Sequence, residues 1–134
     1  MWIEEQRAKS VVRLGIAQTN KRQGSATGFI VVNTAKRLVV MTCGHSFKEW
    51  AQGTEISVQF HDKTDGRAEA VWVNTKTEVA LLLVDTSSIP DLSEYPAVDF
   101  SYDDVRIGDV LVTLGYPHGR VGNPDIWNNL GSVT

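Results

Sequence analysis

One histidine of this chain stands where an imidazole could do work. In LVVMTCGHSF, residues 38–47, an apolar run stops at a small-residue turn and His45 follows it. Thr42-Cys43-Gly44 offers a rigid mount, and an imidazole held just beyond it can take the proton of a hydroxyl nucleophile during attack. The bland alternative is a surface histidine beside a capped turn, with Ser46 opening the short run through Lys48 to Trp50. Other chemistries find less support. His45, His61 and His118 are far apart and belong to no H-E-x-x-H or Cys/His spacing, so no metal site is expected. The glycine-rich loop 115–124 lacks the lysine and the following helix of a phosphate loop, so no nucleotide or other cofactor is expected. Cys43 is the only cysteine, which excludes an internal disulfide and a multi-cysteine metal site. It ends an apolar run and reads as a small buried hydrophobe rather than a nucleophile. A lone thiol fits a reducing, intracellular compartment.

The elements that must hold His45 read mostly with a period of two. Residues 10–17, 27–33 and 38–43 are rich in β-branched side chains and read as strands. In 55–61, Ile56, Val58 and Phe60 fall on one face and Glu55, Ser57, Gln59 and His61 on the other. HDKTDG, residues 61–66, supplies turn chemistry before a strand at 68–74, and VALLLV at 79–84 is apolar on both faces, as in a central strand. Six short strands with turns between them predict a closed or nearly closed antiparallel barrel. Helix is expected only from Trp2 to Lys9 and in the turn after His45.

A composition shift follows the sixth strand. Residues 85–104 hold two prolines, five aspartates and four serines, and read as a connector running over the surface. Strand character returns at 109–115, and LGSVT at 130–134 opens a further strand. The expected division is therefore a helical N-terminal segment, 1–9, a barrel, 10–84, a connector, 85–106, and the start of a second barrel, 107–134. Ending on an open β edge looks premature, because unpaired backbone groups invite another strand. The 134 residues carry 42% hydrophobic side chains and a net charge of −3, enough for one core and without the basic excess of a nucleic-acid binder. No apolar run reaches the roughly 18 residues of a membrane helix, and the polar start MWIEEQRAKS shows no secretory h-region. Trp50 and Trp72 read as packed in the core or partly buried.

The order of these segments resembles the N-terminal half of a trypsin-like serine protease, closest to the disulfide-free HtrA (Deg) type. SVVRL resembles that family's first strand, and GSATGFIV at 24–31 resembles its G-S-G-F-I-V hairpin. VVMTCGHSF resembles the strand and T-x-x-H turn of the catalytic histidine. TEVALLLV at 77–84 resembles D-x-A-L-L-x-V, which carries the catalytic aspartate. IGDVLVTLGYPHG at 107–119 resembles G-x-x-V-x-x-x-G-x-P-x-G at the start of the second barrel.

The resemblance implies an all-β fold with a six-stranded antiparallel barrel and the opening strands of a second. It makes His45 the general base and places Glu78 where the family has its orienting aspartate. The extra methylene moves that carboxylate by roughly one C–C bond, about 1.5 Å. The alternative is a solvated glutamate at a strand start, and Asp85 lies at the wrong end of VALLLV to substitute. The nucleophile loop G-x-S-G-G has no counterpart in the chain. Ser132 falls on a second-barrel strand, and Ser25 and Ser46 have no glycine-rich donor loop. The chain by itself is thus expected to be inactive. A peptide or an unfolded protein is the implied substrate. The other reading is a non-catalytic barrel that binds peptides or a partner chain, with self-association or strand addition at the open edge. No nucleic acid and no membrane are expected as partners.

Overall fold

A computed structural model describes residues 7–34, 36–116 and 127–132 of the chain. Six strands, β1 (Val11–Ala17), β2 (Gln23–Asn33), β3 (Leu38–Thr42), β4 (Ile56–Gln59), β5 (Asp65–Asn74) and β6 (Val79–Val84), form a closed antiparallel barrel. Its order is β1-β2-β3-β6-β5-β4, with β4 returning to β1. Closure puts a neighbour on both sides of every strand, so one side-chain row of each faces a common interior. Val12, Leu14 and Ile16 come from β1, Leu38 and Val40 from β3, Ile56 and Val58 from β4, and Ala80, Leu82 and Val84 from β6. Phe60, just past β4, continues the inward row that alternation marks in the sequence.

Two irregularities bend the longest strands. The β2–β3 register shifts between Ile30 and Val32, and the β5–β6 register shifts between Ala70 and Trp72. Each inserts a residue and sharpens the local turn of the sheet, as bulges at barrel corners do. The second has a visible cost. Val71, Trp72 and Val73 are all exposed, with Trp72 at 45%, so the expected burial of Trp72 is not met. Simple alternation would have kept it facing Ala70's neighbours, and the bulge turns it out.

Beyond the barrel, β7 (Val110–Gly115) pairs antiparallel with β8 (Trp127–Ser132), from Val110↔Ser132 to Gly115↔Trp127. The final strand therefore starts earlier than LGSVT suggests. Strand β5 likewise starts at Asp65, inside the stretch read as a turn, because Gln59↔Asp65 already closes the β4–β5 hairpin. At the N-terminus Arg7 and Ala8 are helical and Ser10 N–H donates to Arg7 O. The rest of the helix expected from Trp2, together with His118 and most of the loop 115–124, lies outside the described residues.

The connector departs most from expectation. Ile89 and Tyr95 are buried in the barrel core, and Leu92 and Ala97 pack against it. Tyr95 stacks on Phe60 at 4.1 Å between ring centroids. Asn33 Nδ2 donates to Leu92 O and Tyr95 O, Ser10 Oγ donates to Pro96 O, and Val98 N–H donates to Ile30 O. Two short 3₁₀ turns, Thr86–Ser88 and Leu92–Glu94, are capped by Asp85 and Asp91. Polar composition marked this stretch as surface, yet four spaced apolar side chains join or pack against the barrel core. Among the described residues no helix is long and apolar enough to cross a membrane.

Candidate active site

Strand β3 delivers His45 through a short chain of constraints. Thr42, the last residue of the strand, is buried and donates its hydroxyl to Thr27 O at 2.8 Å. Cys43 follows in an extended conformation and the chain then enters a 3₁₀ turn, Gly44–Phe47. Phe47 is buried and meets Trp50 edge-to-face, with ring centroids 5.3 Å apart. Gln18 bridges Trp50, Thr19 N–H donates to Glu49 O and Ala51 N–H donates to Ala17 O. The turn after His45 is thus anchored below by an aromatic side chain and beyond by the end of β1. Trp50 packs partly buried, as expected.

Cys43 is exposed, which corrects its reading as a buried hydrophobe. Leu38, Val40 and Thr42 take the inward row of β3, so the next residue has the outward parity, and the strand has already ended.

Gly44 permits the approach that completes the site. A Cβ on it would lie 2.6 Å from Asn74 O and 3.2 Å from Glu78 Cα. Only a residue without a side chain lets the histidine turn rest directly on the β5–β6 connection. Across that contact, one carboxylate oxygen of Glu78 accepts two hydrogen bonds from His45, from the backbone N–H at 3.0 Å and from Nδ1 at 3.1 Å. A carboxylate only accepts, so the bond requires a proton on Nδ1 and leaves Nε2 of the neutral ring as a free acceptor. The longer glutamate side chain therefore still reaches the imidazole. Side-chain exposures of 63% for His45 and 48% for Glu78 keep the pair in contact with solvent. At such exposure an ion pair adds little to stability.

Beside His45 lies a hollow of about 240 Å³ lined by Ile16, Gln18, Gly24, Ser25, Ser46, Lys48 and Glu49. Ser25 and Ser46 share this hollow with His45, and neither is hydrogen-bonded to it; Ser25 Oγ donates to Leu14 O at 3.4 Å. Asp85 is at the far end of β6 from Glu78. It accepts from Ser87 N–H at 3.0 Å and Ser87 Oγ at 2.7 Å. The Ser87 hydroxyl first, then its amide, hold the Asp85 carboxyl below the usual aspartate range against desolvation, with the field of Arg67 the smallest contribution. Asp85 is a turn cap and has no part in the imidazole pair. Ser132 belongs to β8. Among the described residues no group of His, Cys, Asp and Glu is arranged to hold a metal ion.

Two residues that matter here escaped the sequence reading. Thr27 accepts Thr42 Oγ1 on its carbonyl and Tyr116 N–H on its hydroxyl at 2.8 Å, joining the barrel to the end of β7. Asn74 accepts from Lys76 N–H and Thr77 N–H on Oδ1 and so shapes the connection that carries Glu78. An asparagine at a strand end followed by Thr-Lys-Thr is the local signal for such a turn. Nothing local marks Thr27.

Comparison with known proteins bears on the family and the fold. A family model described as a trypsin-like peptidase domain matches residues 26–133. A probable periplasmic serine endoprotease, DegP-like, of Rickettsia prowazekii (strain Madrid E) is 30% identical over 108 residues, which is 80% of this chain and 19% of that protein. A protein of the same description from Halomonas elongata is 29% identical over 101 residues, 75% of this chain and 19% of that one. The chain thus spans about a fifth of the length of the curated relatives it matches. Among solved structures, the Rv3671c protease from M. tuberculosis in its active form superposes with a TM-score of 0.75 at 22% identity, over 96% of this chain and 49% of that one. The HtrA-type protease AlgW with tripeptide gives 0.73 at 21% identity, over 97% and 38%. At these identities the structures establish the fold, and the family model establishes the lineage. The chain belongs to the trypsin-like peptidase domain family and, within it, is similar to the HtrA (Deg) type.

Proposed function

We propose that this chain carries the general-base half of a serine endopeptidase site, with His45 the base and Glu78 the carboxylate that orients it. The observation that supports the reading most is the pair of hydrogen bonds from His45 to a single oxygen of Glu78. A serine hydroxyl is a weak nucleophile until its proton is taken. In this reading His45 Nε2 takes that proton as the serine oxygen bonds to the scissile carbonyl carbon and the carbonyl π pair moves onto oxygen. The same Nε2 then gives the proton to the departing amine as the C–N bond breaks. Glu78 keeps Nδ1 protonated and stabilises the imidazolium between the two transfers.

The sequence G-x-S-G-G does not occur in the 134 residues, so the nucleophile and the oxyanion donors must come from outside them. By itself this stretch is expected to cleave nothing. Within the whole protein the substrate class is a peptide or an unfolded protein chain.

The test begins with the protein captured from its own cells with an antibody against residues 46–66. The expected result is an intact mass well above that of 134 residues, a fluorophosphonate-labelled serine outside this stretch, and a fall in peptidase kcat of roughly 10⁶-fold on His45→Ala. Labelling and cleavage unchanged by His45→Ala would sink the assignment. A mass equal to 134 residues with no label would instead favour a non-catalytic barrel that binds a peptide or partner strand. The exposed run Phe100, Tyr102, Val105 and Ile107, continued by Val110 and Leu111 at the start of β7, is the observation in that reading's favour.

A further inference from the structure

We propose that Asn74 is a positioning residue for the His45–Glu78 pair, and that it acts on both partners at once. This inference rests on the functional reading above. Glu78 has φ of 60°, the left-handed region that glutamate enters only when its surroundings impose it. Three residues of chain, 75–77, separate Asn74 from Glu78, so what shapes those residues sets the glutamate's backbone. The Asn74 side chain shapes them. Its Oδ1 accepts from Lys76 N–H at 2.9 Å and from Thr77 N–H at 3.1 Å, closing a tight turn immediately after the Asn74↔Val79 pair that ends the β5–β6 ladder. The turn enters Glu78 with both preceding amides already bound, which leaves few backbone conformations open.

The main chain of Asn74 acts on the other partner. Its carbonyl oxygen lies against Gly44 at a spacing that excludes any Cβ there, and Glu78 Cα and C bear on the same glycine. The turn that carries His45 therefore rests on the backbone of Asn74 and Glu78 together. One residue thus fixes the direction of the carboxylate through its side chain and the seat of the imidazole through its carbonyl. Side-chain substitution separates the two effects, because the carbonyl stays.

The readout is the tautomer of the His45 ring, seen in long-range ¹H–¹⁵N spectra of the full chain in mildly alkaline buffer, where imidazoles are neutral. The native ring is expected to carry its proton on Nδ1, held by Glu78. Asn74→Ala is expected to lose that signature and show the aqueous mixture dominated by the Nε2–H form, as Glu78→Ala does. Asn74→Asp, which keeps an acceptor in the same place, is expected to restore Nδ1–H. A loss of general stability alone would not move the tautomer, and would not distinguish Asp from Ala at this position. Should Asn74→Ala fail to fold, Asn74→Ser keeps one short acceptor and is expected to give a partial loss. Loss of the signature in Glu78→Ala with a native spectrum in Asn74→Ala or Asn74→Ser overturns the role of Asn74 alone. A native spectrum in Glu78→Ala, which removes the acceptor altogether, overturns the His45–Glu78 pairing beneath it.

Discussion

The barrel and the stretch leading into β7 use similar apolar residues and bury them very differently. Phe60, at the end of β4, is 1% exposed, whereas Ile107 is 82% exposed, Tyr102 97% and Val110 71%. Hydrophobicity does not separate these side chains. What separates them is closure. A strand in a six-stranded ring has a neighbour on each side and an interior to face, while among the described residues β7 is paired with β8 alone and a two-stranded sheet cannot enclose a core. The His45–Glu78 pair sits on the closed side, at a place where backbone rests on backbone through Gly44. At the other joint, the Thr27 hydroxyl accepts Tyr116 N–H where β7 ends, and Tyr116 is itself buried.

The largest expected effect tests this difference directly. Phe60→Ala removes a ring that fills the barrel and stacks on Tyr95, and is expected to cost about 3–5 kcal/mol. Val110→Ala is expected to change stability by no more than about 0.5 kcal/mol. Urea unfolding of the two variants decides the matter, and a cost above about 2 kcal/mol for Val110→Ala would mean that another element covers β7 in solution. The second effect probes the joint. Thr27→Val keeps the shape and deletes the acceptor for Tyr116 N–H, with an expected cost of about 1–2 kcal/mol. Amide exchange should accelerate at Tyr116 and along β7 while β3 and β6 stay protected. Equal acceleration in β3 would mean that the barrel and the β7–β8 sheet open as one unit.

How much of this was legible beforehand follows the same line. The inward row Ile56, Val58, Phe60 could be read directly, because a strand between two neighbours obeys strict alternation. His45 could be located because glycine and small residues end its strand, and Glu78 because it lies at the start of an apolar run in the family's order. The bulge at Ala70/Trp72 has no local signature, so parity failed at Trp72. Cys43 misleads because it ends an apolar run, whereas the strand stops at Thr42 and the residue after that inward position faces out. The connector misled for a different reason. Its serines and aspartates cap two short turns, and only the spacing of Ile89, Leu92, Tyr95 and Ala97 carries the message that it folds inward. Composition averages over twenty residues, and burial is decided by four of them.

The smallest expected effect separates the strapped half of that connector from the exposed half that follows it. Tyr95 hydroxyl donates to both oxygens of Asp62, at 3.2 Å and 2.9 Å. Burial pushes the Asp62 carboxyl up, but the backbone and hydroxyl of Thr64, the Tyr95 hydroxyl and the nearby His61 together outweigh it and leave it below the ordinary value. A carboxylate whose folded pKa is depressed adds stability above the unfolded value, near pH 4, and loses it as pH falls towards the folded one. Asp85 and Asp91, lowered chiefly by the hydroxyls of Ser87 and Ser93, act in the same direction. Tyr95 has the opposite sense. Burial first, then Asp62 and Glu94, raise its phenol pKa against an opposing bond with Thr64, so its contribution is kept below pH 10 or so and lost as pH rises further. Tyr95→Phe is therefore expected to cost about 1 kcal/mol at neutral pH and to flatten both limbs of the stability profile, below about pH 4 and above about pH 10. Amide exchange in residues 86–95 should quicken with the variant, and exchange in 100–109 should not, because the latter has no strap to lose. An unchanged acid limb in Tyr95→Phe would assign the acid sensitivity to the two turn caps, and would leave the strap to packing on Phe60 and to the bonds from Asn33 and Ser10.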